Sequence, residues 1–163
     1  MERLLCKALE VANKYYDDKT LSHALRVMVY AAGGMSNDNF KGLSVPDKVQ
    51  MEMIIAICHD LIEDTDYTFE DFKRDFDIED ADKTFNGDNI FEILFTAMEL
   101  ITKEKNESYK DYILSIKNVS KKNISGSIAY WVKMADIKDH LNLTETLNDK
   151  RKEKYLMALS ILL

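Results

Sequence analysis

Met53-Ile54-Ile55-Ala56-Ile57-Cys58-His59-Asp60-Leu61-Ile62-Glu63-Asp64-Thr65 runs from six consecutive apolar residues into a segment with one histidine, three acids and a threonine. Six apolar residues in a row cover every side of a helix, so Met53 to Cys58 are expected to be buried all round. A charge on a buried helix is costly unless it is paired or bound to metal. At about 100° per residue, Met51, Ile54, Ile55, Cys58 and Ile62 share one face. His59 and Glu63 then stack at i, i+4, as do Asp60 and Asp64, and together they fill one sector away from that face. Small Ala56 lies within that sector and leaves room for something, so the stretch reads as a metal site. A His-Asp dipeptide alone is a weak signal, because Asp can simply orient a core histidine. The longer string His59-Asp60-x-x-Glu63-Asp64-Thr65 on an otherwise buried helix is far more specific.

The rest of the composition bounds what such a site serves. A chain of 163 residues suits one domain with a sizeable core. It is 46% hydrophobic with one proline and five glycines, which fits a compact helical protein. A formal charge of -7 argues against a general nucleic-acid binder, which needs a basic face. Cys6 and Cys58 form no CxxC pair and read as small core hydrophobes in a reducing compartment. Met1 to Leu5 opens no signal peptide, and the apolar runs fall short of the roughly 20 residues that span a bilayer. The expectation is a soluble cytoplasmic protein with no membrane partner and no nucleic-acid partner.

Working outward, residues 2–16 read as an amphipathic helix bearing Leu4, Leu5, Ala8, Val11, Ala12 and Tyr15 on one side. After the polar break Asp17-Asp18-Lys19, Thr20 is the expected cap of a second helix ended by Gly33-Gly34. His23 lies opposite that helix's main apolar stripe, and a core histidine satisfied by a backbone carbonyl is its ordinary explanation. A polar loop follows over 35–43, and Ser44-Val45-Pro46-Asp47 has capping-box form at the start of the central helix. Thr68-Phe69-Glu70-Asp71 is a second capping box, opening a short helix to about Phe76. Residues 77–88 read as acidic and turn-like around Asn86-Gly87, with Asp88 as a candidate cap for the helix after them. Helices from Tyr109, from Ile128 to about Leu143, and from about Asp149 to Leu163 complete the pass. No internal repeat and no convincing β segment emerge, so the fold class is all-α, one domain of seven or eight helices over 1–163.

A divalent metal held by imidazole and carboxylate needs ligands converging from different helices. On a continuous helix the adjacent His59 and Asp60 diverge by about 100° and grip a metal only from beside it. His23 is a candidate from the second helix, and Asp136 follows the apolar stretch Ile128 to Ala135. Spacing alone does not prove that these four meet.

The order H…HD…D formed by His23, His59-Asp60 and Asp136 resembles the HD superfamily of metal-dependent phosphohydrolases. The finer resemblance is to the hydrolase domain of RelA/SpoT-type enzymes and to small alarmone hydrolases, which remove the 3'-pyrophosphate of (p)ppGpp in the stringent response. His59 to Phe72, HDLIEDTDYTFEDF, is similar to that family's HDxxEDT and following Thr-Phe turn. Leu100 to Lys105 resembles its V-T-x-x-K segment, Val132 to Asp136 its V-K-L-A-D, and Arg151 with Tyr155 its R-x-x-x-Y. The resemblance covers nearly the whole chain.

It implies that His23, His59, Asp60 and Asp136 hold one divalent metal, Mn²⁺ in the enzymes compared, with Glu63 and Asp64 orienting water and handling protons. It also implies a small phosphorylated nucleotide as substrate, with Lys103, Lys105, Arg151 and Tyr155 as phosphate contacts. A solvated linker is the alternative for the lysines. The family's basic loop before the first metal histidine is replaced here by short, acidic Asp17-Asp18-Lys19. Lys14 stands near the place of a base-contacting arginine, and His140 stands where the family has asparagine. The catalytic half is therefore retained better than the nucleotide-recognition half. The other readings are an HD phosphatase for a different nucleotide or dinucleotide, such as a nucleoside monophosphate or NADPH, and a regulatory domain that binds without turnover.

Overall fold

The computed structural model describes residues 1–33, 47–77, 83–143 and 147–163. Its helices are α1 (Glu2–Tyr15), α2 (Asp18–Gly33), α3 (Asp47–Cys58), the single turn α4 (Leu61–Asp64), α5 (Phe69–Phe76), α6 (Ile90–Ile101), α7 (Tyr109–Val119), α8 (Ile124–Asn142) and α9 (Asp149–Leu162). Setting aside the one-turn α4, eight helices among the described residues build an all-α bundle, within the expected count. The proposed box at Ser44 to Pro46, the loop at 35–43 and Gly34 lie outside the described residues.

Side-chain caps fix most of the helix starts. Thr68 and Asp71 form the expected reciprocal box at α5. Asn89, Ser108, Asn123 and Asn148 each accept a backbone N–H in the first turn of α6, α7, α8 and α9. Three boundaries differ from the sequence expectation. Asp17, rather than Thr20, accepts an amide at the start of α2, from Thr20 itself at 2.7 Å. Asn89, not Asp88, caps α6, and Asn123 caps α8, which starts at Ile124, four residues before Ile128. Residues 83–89 also hold a minimal hairpin, β1 (Thr84–Phe85) paired antiparallel with β2 (Asp88–Asn89), where no β segment was expected. Asn86 (φ 53°) and Gly87 (φ 93°) both take positive φ, as a two-residue hairpin turn requires.

The central helix behaves as its composition dictates. From Met51 to Cys58 every side chain of α3 is buried except Met53, which is partly exposed. Helices α1, α2, α6 and α8 pack around it. Each fully buried Ile or Leu there contributes about 1.5–3 kcal/mol, which fixes α3 in the bundle more firmly than intrinsic propensity does. The 19-residue α8 joins two apolar clusters. Ile128, Ala129, Val132 and Ala135 belong to the main core, while Ile137 packs with Tyr112, Ile113, Ile116, Tyr155 and Leu162 between α7 and α9. The polar residues of α8 between these clusters therefore face α2 and α3 from a buried position. Among the described residues, no helix is long and apolar enough to cross a membrane.

Candidate metal centre

The helix carrying the His-Asp pair does not run through it. α3 ends at Cys58, His59 and Asp60 form a turn, and Asp60 precedes the single turn α4. No glycine or proline marks this break. His59 Nδ1 lies 2.8 Å from Ala56 O, and the Asp60 amide donates to Tyr16 Oη at 3.2 Å. The expected 100° divergence is thereby lost: Asp60 Oδ2 comes within 3.1 Å of His59 Nε2, and both side chains point to one place.

His23 from α2 and Asp136 from α8 meet them there. His23 Nε2 is 3.3 Å from Asp136 Oδ1 and 3.6 Å from Asp60 Oδ2, and His59 Nε2 is 3.8 Å from Asp136 Oδ1. One donor atom each from His23, His59 and Asp136 lie within 4.8 Å of one another. Neither Nε2 makes a hydrogen bond, although both are buried. Buried polar atoms are ordinarily paired, so two orphaned imidazole nitrogens facing two carboxylates mark a place meant for a further partner. Donors held roughly 2.1 Å from a common ion at tetrahedral or octahedral angles are spaced about 3.0–3.4 Å, close to the separations seen here. The residues present therefore fit a divalent cation.

The remaining nitrogens and oxygens are tied up in ways that suit ligation. Ala56 O can only accept, so the proton of a neutral His59 sits on Nδ1 and its Nε2 carries the lone pair. His23 Nδ1 is 2.7 Å from Asp139 Oδ2. Asp136 turns Oδ1 to the histidines and gives Oδ2 to Lys133 Nζ at 2.8 Å. His140 Nε2 also reaches Asp136 Oδ1 at 3.1 Å, and its ring stacks on Tyr155 at 4.6 Å and 8°. His140 was expected to touch substrate; its contacts place it against the Asp136 carboxylate and the cleft wall together.

The charge states follow. Burial opposes ionisation of Asp136, but Lys133 foremost, with His140, His23 and His59, holds its carboxyl well below the usual range. Burial likewise disfavours a charged His59, and Asp60 and Asp136 outweigh it and raise the imidazole to about 9. Asp60 is opposed by burial and lowered by His59. Asp64 is pushed up by partial burial and by Asp60.

His23, Asp60, Asp64 and His140 line the floor of a cleft of about 480 Å³ between α2, α4, α8 and α9, with His59 and Asp136 packed against His23 and Asp60. Its walls carry Lys19, Arg26, Arg151 and Lys154 as cations, Asp17 and Asp64 as acids, and Tyr155 with Leu143 as the apolar side. Lys154 Nζ rests over the Tyr109 ring at 4.1 Å, and burial with Lys133 nearby lowers its pKa. Of the residues expected to serve substrate, Arg151, Tyr155 and His140 line this cleft. Lys103 and Lys105 line a separate groove of about 440 Å³, with Glu63. Lys103 Nζ is committed to the carbonyls of Glu104 and Glu107, and its amide donates to Glu63 Oε1 at 2.8 Å. Glu63 thus stands at the divide between the two grooves, while Asp64 lines the cleft that holds His23 and Asp60. Lys14 is exposed, bonded to Tyr15 Oη, and outside both.

Arg26, Lys133, Asp139 and Lys154 were not singled out from the sequence. Arg26 is three residues after His23 and Asp139 three after Asp136, so helical spacing puts each on the same helix face as that candidate. A more apolar cavity of about 350 Å³ lies on the other side of α8, lined by Tyr30, Trp131, Met134 and Leu159. It gathers no ligand set, and chemistry rather than enclosure identifies the functional cleft. No protein-family model matches the chain, and no curated protein matches it.

Proposed function

We propose that this protein is a metal-dependent phosphohydrolase acting on a phosphorylated nucleotide, with an alarmone 3'-pyrophosphate the first substrate to test. The observation that carries the reading is the pair of buried, unpartnered Nε2 atoms facing Asp60 and Asp136 at the floor of a cation-lined cleft. The resemblance of HDLIEDT and VKMAD to HD-type hydrolase motifs supports it. Residues His23, His59, Asp60 and Asp136 would hold one divalent cation, Mn²⁺ by that resemblance. When bound, such a cation supplies Lewis acidity to a phosphoryl group and makes water more acidic.

The chain's own groups do the rest. Lys19, Arg26, Arg151 and Lys154 oppose the charge of a phosphate or pyrophosphate, which an acidic protein otherwise repels. Lys133 neutralises the distal oxygen of Asp136 and leaves the other facing the centre. Asp64 is the carboxyl placed in the cleft to orient water or carry a proton. Glu63, bonded to the Lys103 amide, acts from the divide and holds the α6–α7 connection against the site. Tyr155 and the stacked His140 offer a flat wall to the nucleoside.

A second reading keeps the chemistry and changes the nucleotide. Lys14, Lys103 and Lys105 stand outside the cleft while Asp17 lines it, an arrangement that suits a substrate with fewer phosphates, such as a nucleoside monophosphate. Phosphate and pyrophosphate release should be measured over a panel of 3'-pyrophosphates, nucleoside monophosphates and NADPH with added Mn²⁺. Release from at least one class, abolished by a chelator, is expected. No release from any member would overturn the enzymatic reading.

A further inference from the structure

Asp139 is 1% exposed, so its charge must be matched locally or it destabilises the fold. Three contacts match it. Arg26 Nε donates to Oδ1 at 2.7 Å, Arg26 Nη2 donates to Oδ2 at 3.0 Å, and His23 Nδ1 meets Oδ2 at 2.7 Å. The pattern is a two-by-two register between helices. His23 and Arg26, one turn apart on α2, face Asp136 and Asp139, one turn apart on α8, and the His23 ring is gripped between the two carboxylates. A buried ion pair is seldom retained for stability alone, because apolar residues of similar volume do as well or better.

We propose that Asp139, charge-balanced by Arg26, is the positioning residue of the His23 half of the centre, keeping the proton on Nδ1 and the Nε2 lone pair turned to the ion. The inference rests on the metal-centre reading. Arg26 has a definite part in it. Both carboxylate oxygens already accept from the guanidinium, which lowers their basicity, so Asp139 accepts the imidazole proton without removing it. An ionised carboxylate offers acceptors only, whereas neutral imidazole has one donor and one acceptor nitrogen. The ring can then satisfy Asp139 in a single tautomer, the one that frees Nε2. An unpartnered Nε2 on the same ring is the second sign that this nitrogen is reserved. Carboxylate partners of this kind raise metal affinity by about 10–100-fold where their removal has been measured.

The consequence is an unusual dependence on Arg26. In Asp139→Asn, the amide has one oxygen and one NH₂ where the guanidinium presents two donors. Whichever way the amide turns, a donor faces a donor. With the oxygen on Nδ1–H and Arg26 Nη2, the NH₂ is pressed against Arg26 Nε–H. With the amide reversed, the NH₂ meets Nη2–H and donates to Nδ1, which puts the ring proton on Nε2, so the tautomer that frees Nε2 is no longer held without a clash. Removing the guanidinium as well, in Asp139→Asn/Arg26→Met, lets the amide oxygen turn to Nδ1–H again. A merely structural pair would show the single lesion, and its relief in the double variant, in urea stability alone, with the Co²⁺ affinity of the folded proteins unchanged.

The test is Co²⁺ affinity, read by competition with a chromophoric chelator, together with the Co²⁺ absorption band, on full-length protein shown to be folded by circular dichroism. Wild type should bind Co²⁺, Asp139→Asn should bind about 10–100-fold more weakly, and the double variant should recover at least half of that loss on a logarithmic scale. Wild-type protein that binds no divalent ion overturns both the metal reading and this inference. Wild-type affinity in folded Asp139→Asn, or a double variant no tighter than the single one, overturns the positioning role alone. If Asp139→Asn does not fold, Arg26→Met and the double variant decide: the double variant must bind Co²⁺ within about tenfold of wild type, and weaker binding rejects the proposal.

Discussion

His23 and His59 present the same atom to the same point, but by different means. His23 is steered by a side chain on another helix, a carboxylate itself held by an arginine. His59 is steered by the main chain of the helix just before it, through the carbonyl of Ala56 where α3 ends. The first arrangement depends on the register of α2 against α8, and substitution can dismantle it. The second is local, and no side-chain change at the acceptor removes it. What the two halves share is Asp136, whose Oδ1 faces both rings while Oδ2 is neutralised by Lys133.

The largest effect is therefore expected where the halves meet. Asp136→Ala leaves the Lys133 ammonium buried without its carboxylate, a loss of about 3–5 kcal/mol. His59→Ala removes one hydrogen bond to a carbonyl and should cost less, about 1–3 kcal/mol. Urea titrations of both metal-free variants give the difference directly. Equal losses would show that the Lys133–Asp136 pair is not the anchor of the site.

Turnover should separate the two acids of α4 next. Asp64 lines the cleft with His23 and Asp60, so on the proposed function Asp64→Asn should lower kcat by at least about a hundredfold with metal content unchanged. Glu63 spends an oxygen on the Lys103 amide and lines the neighbouring groove, so Glu63→Gln should cost only about tenfold, the effect of one weakened hydrogen bond. The reverse order in steady-state kinetics would mean that Glu63 swings into the cleft when substrate binds.

The difference between the halves also shows what a sequence reveals. The all-α class and the Thr68 capping box were legible, because each is carried by local pattern, and His23, His59, Asp60 and Asp136 could be named as candidates by motif. The break after Cys58 was not. Residues 53–65 contain neither glycine nor proline, and the turn is made by His59 and Asp60 themselves through contacts with Ala56 and Tyr16. Asp139 was missed for a different reason. Its place one turn from Asp136 was readable, but its contact with His23 spans 116 residues and exists only once α2 and α8 are in register. The hairpin at 84–89 was seen as a turn, since two-residue strands are too short to show alternation.

The smallest effect concerns the base. At the α1–α2 junction and the first turn of α2 the cleft wall offers Asp17, Lys19 and Thr20, with Lys14 outside it, so no planar guanidinium from α1 brackets a purine. Guanosine and adenosine forms of one 3'-pyrophosphate should differ in kcat/KM by no more than about tenfold, the worth of one stacking or bidentate contact. A preference above a hundredfold in competition kinetics would contradict this.

Metal content tests the central claim most directly. Protein reconstituted with Mn²⁺ and freed of excess ion should carry about one divalent metal per chain by elemental analysis, as one four-ligand centre requires. His59→Ala and Asp136→Ala, one from each side of the comparison, should both lose it. Metal-free wild-type protein, or full occupancy in both variants, would show that the convergent nitrogens and carboxylates are not a metal centre.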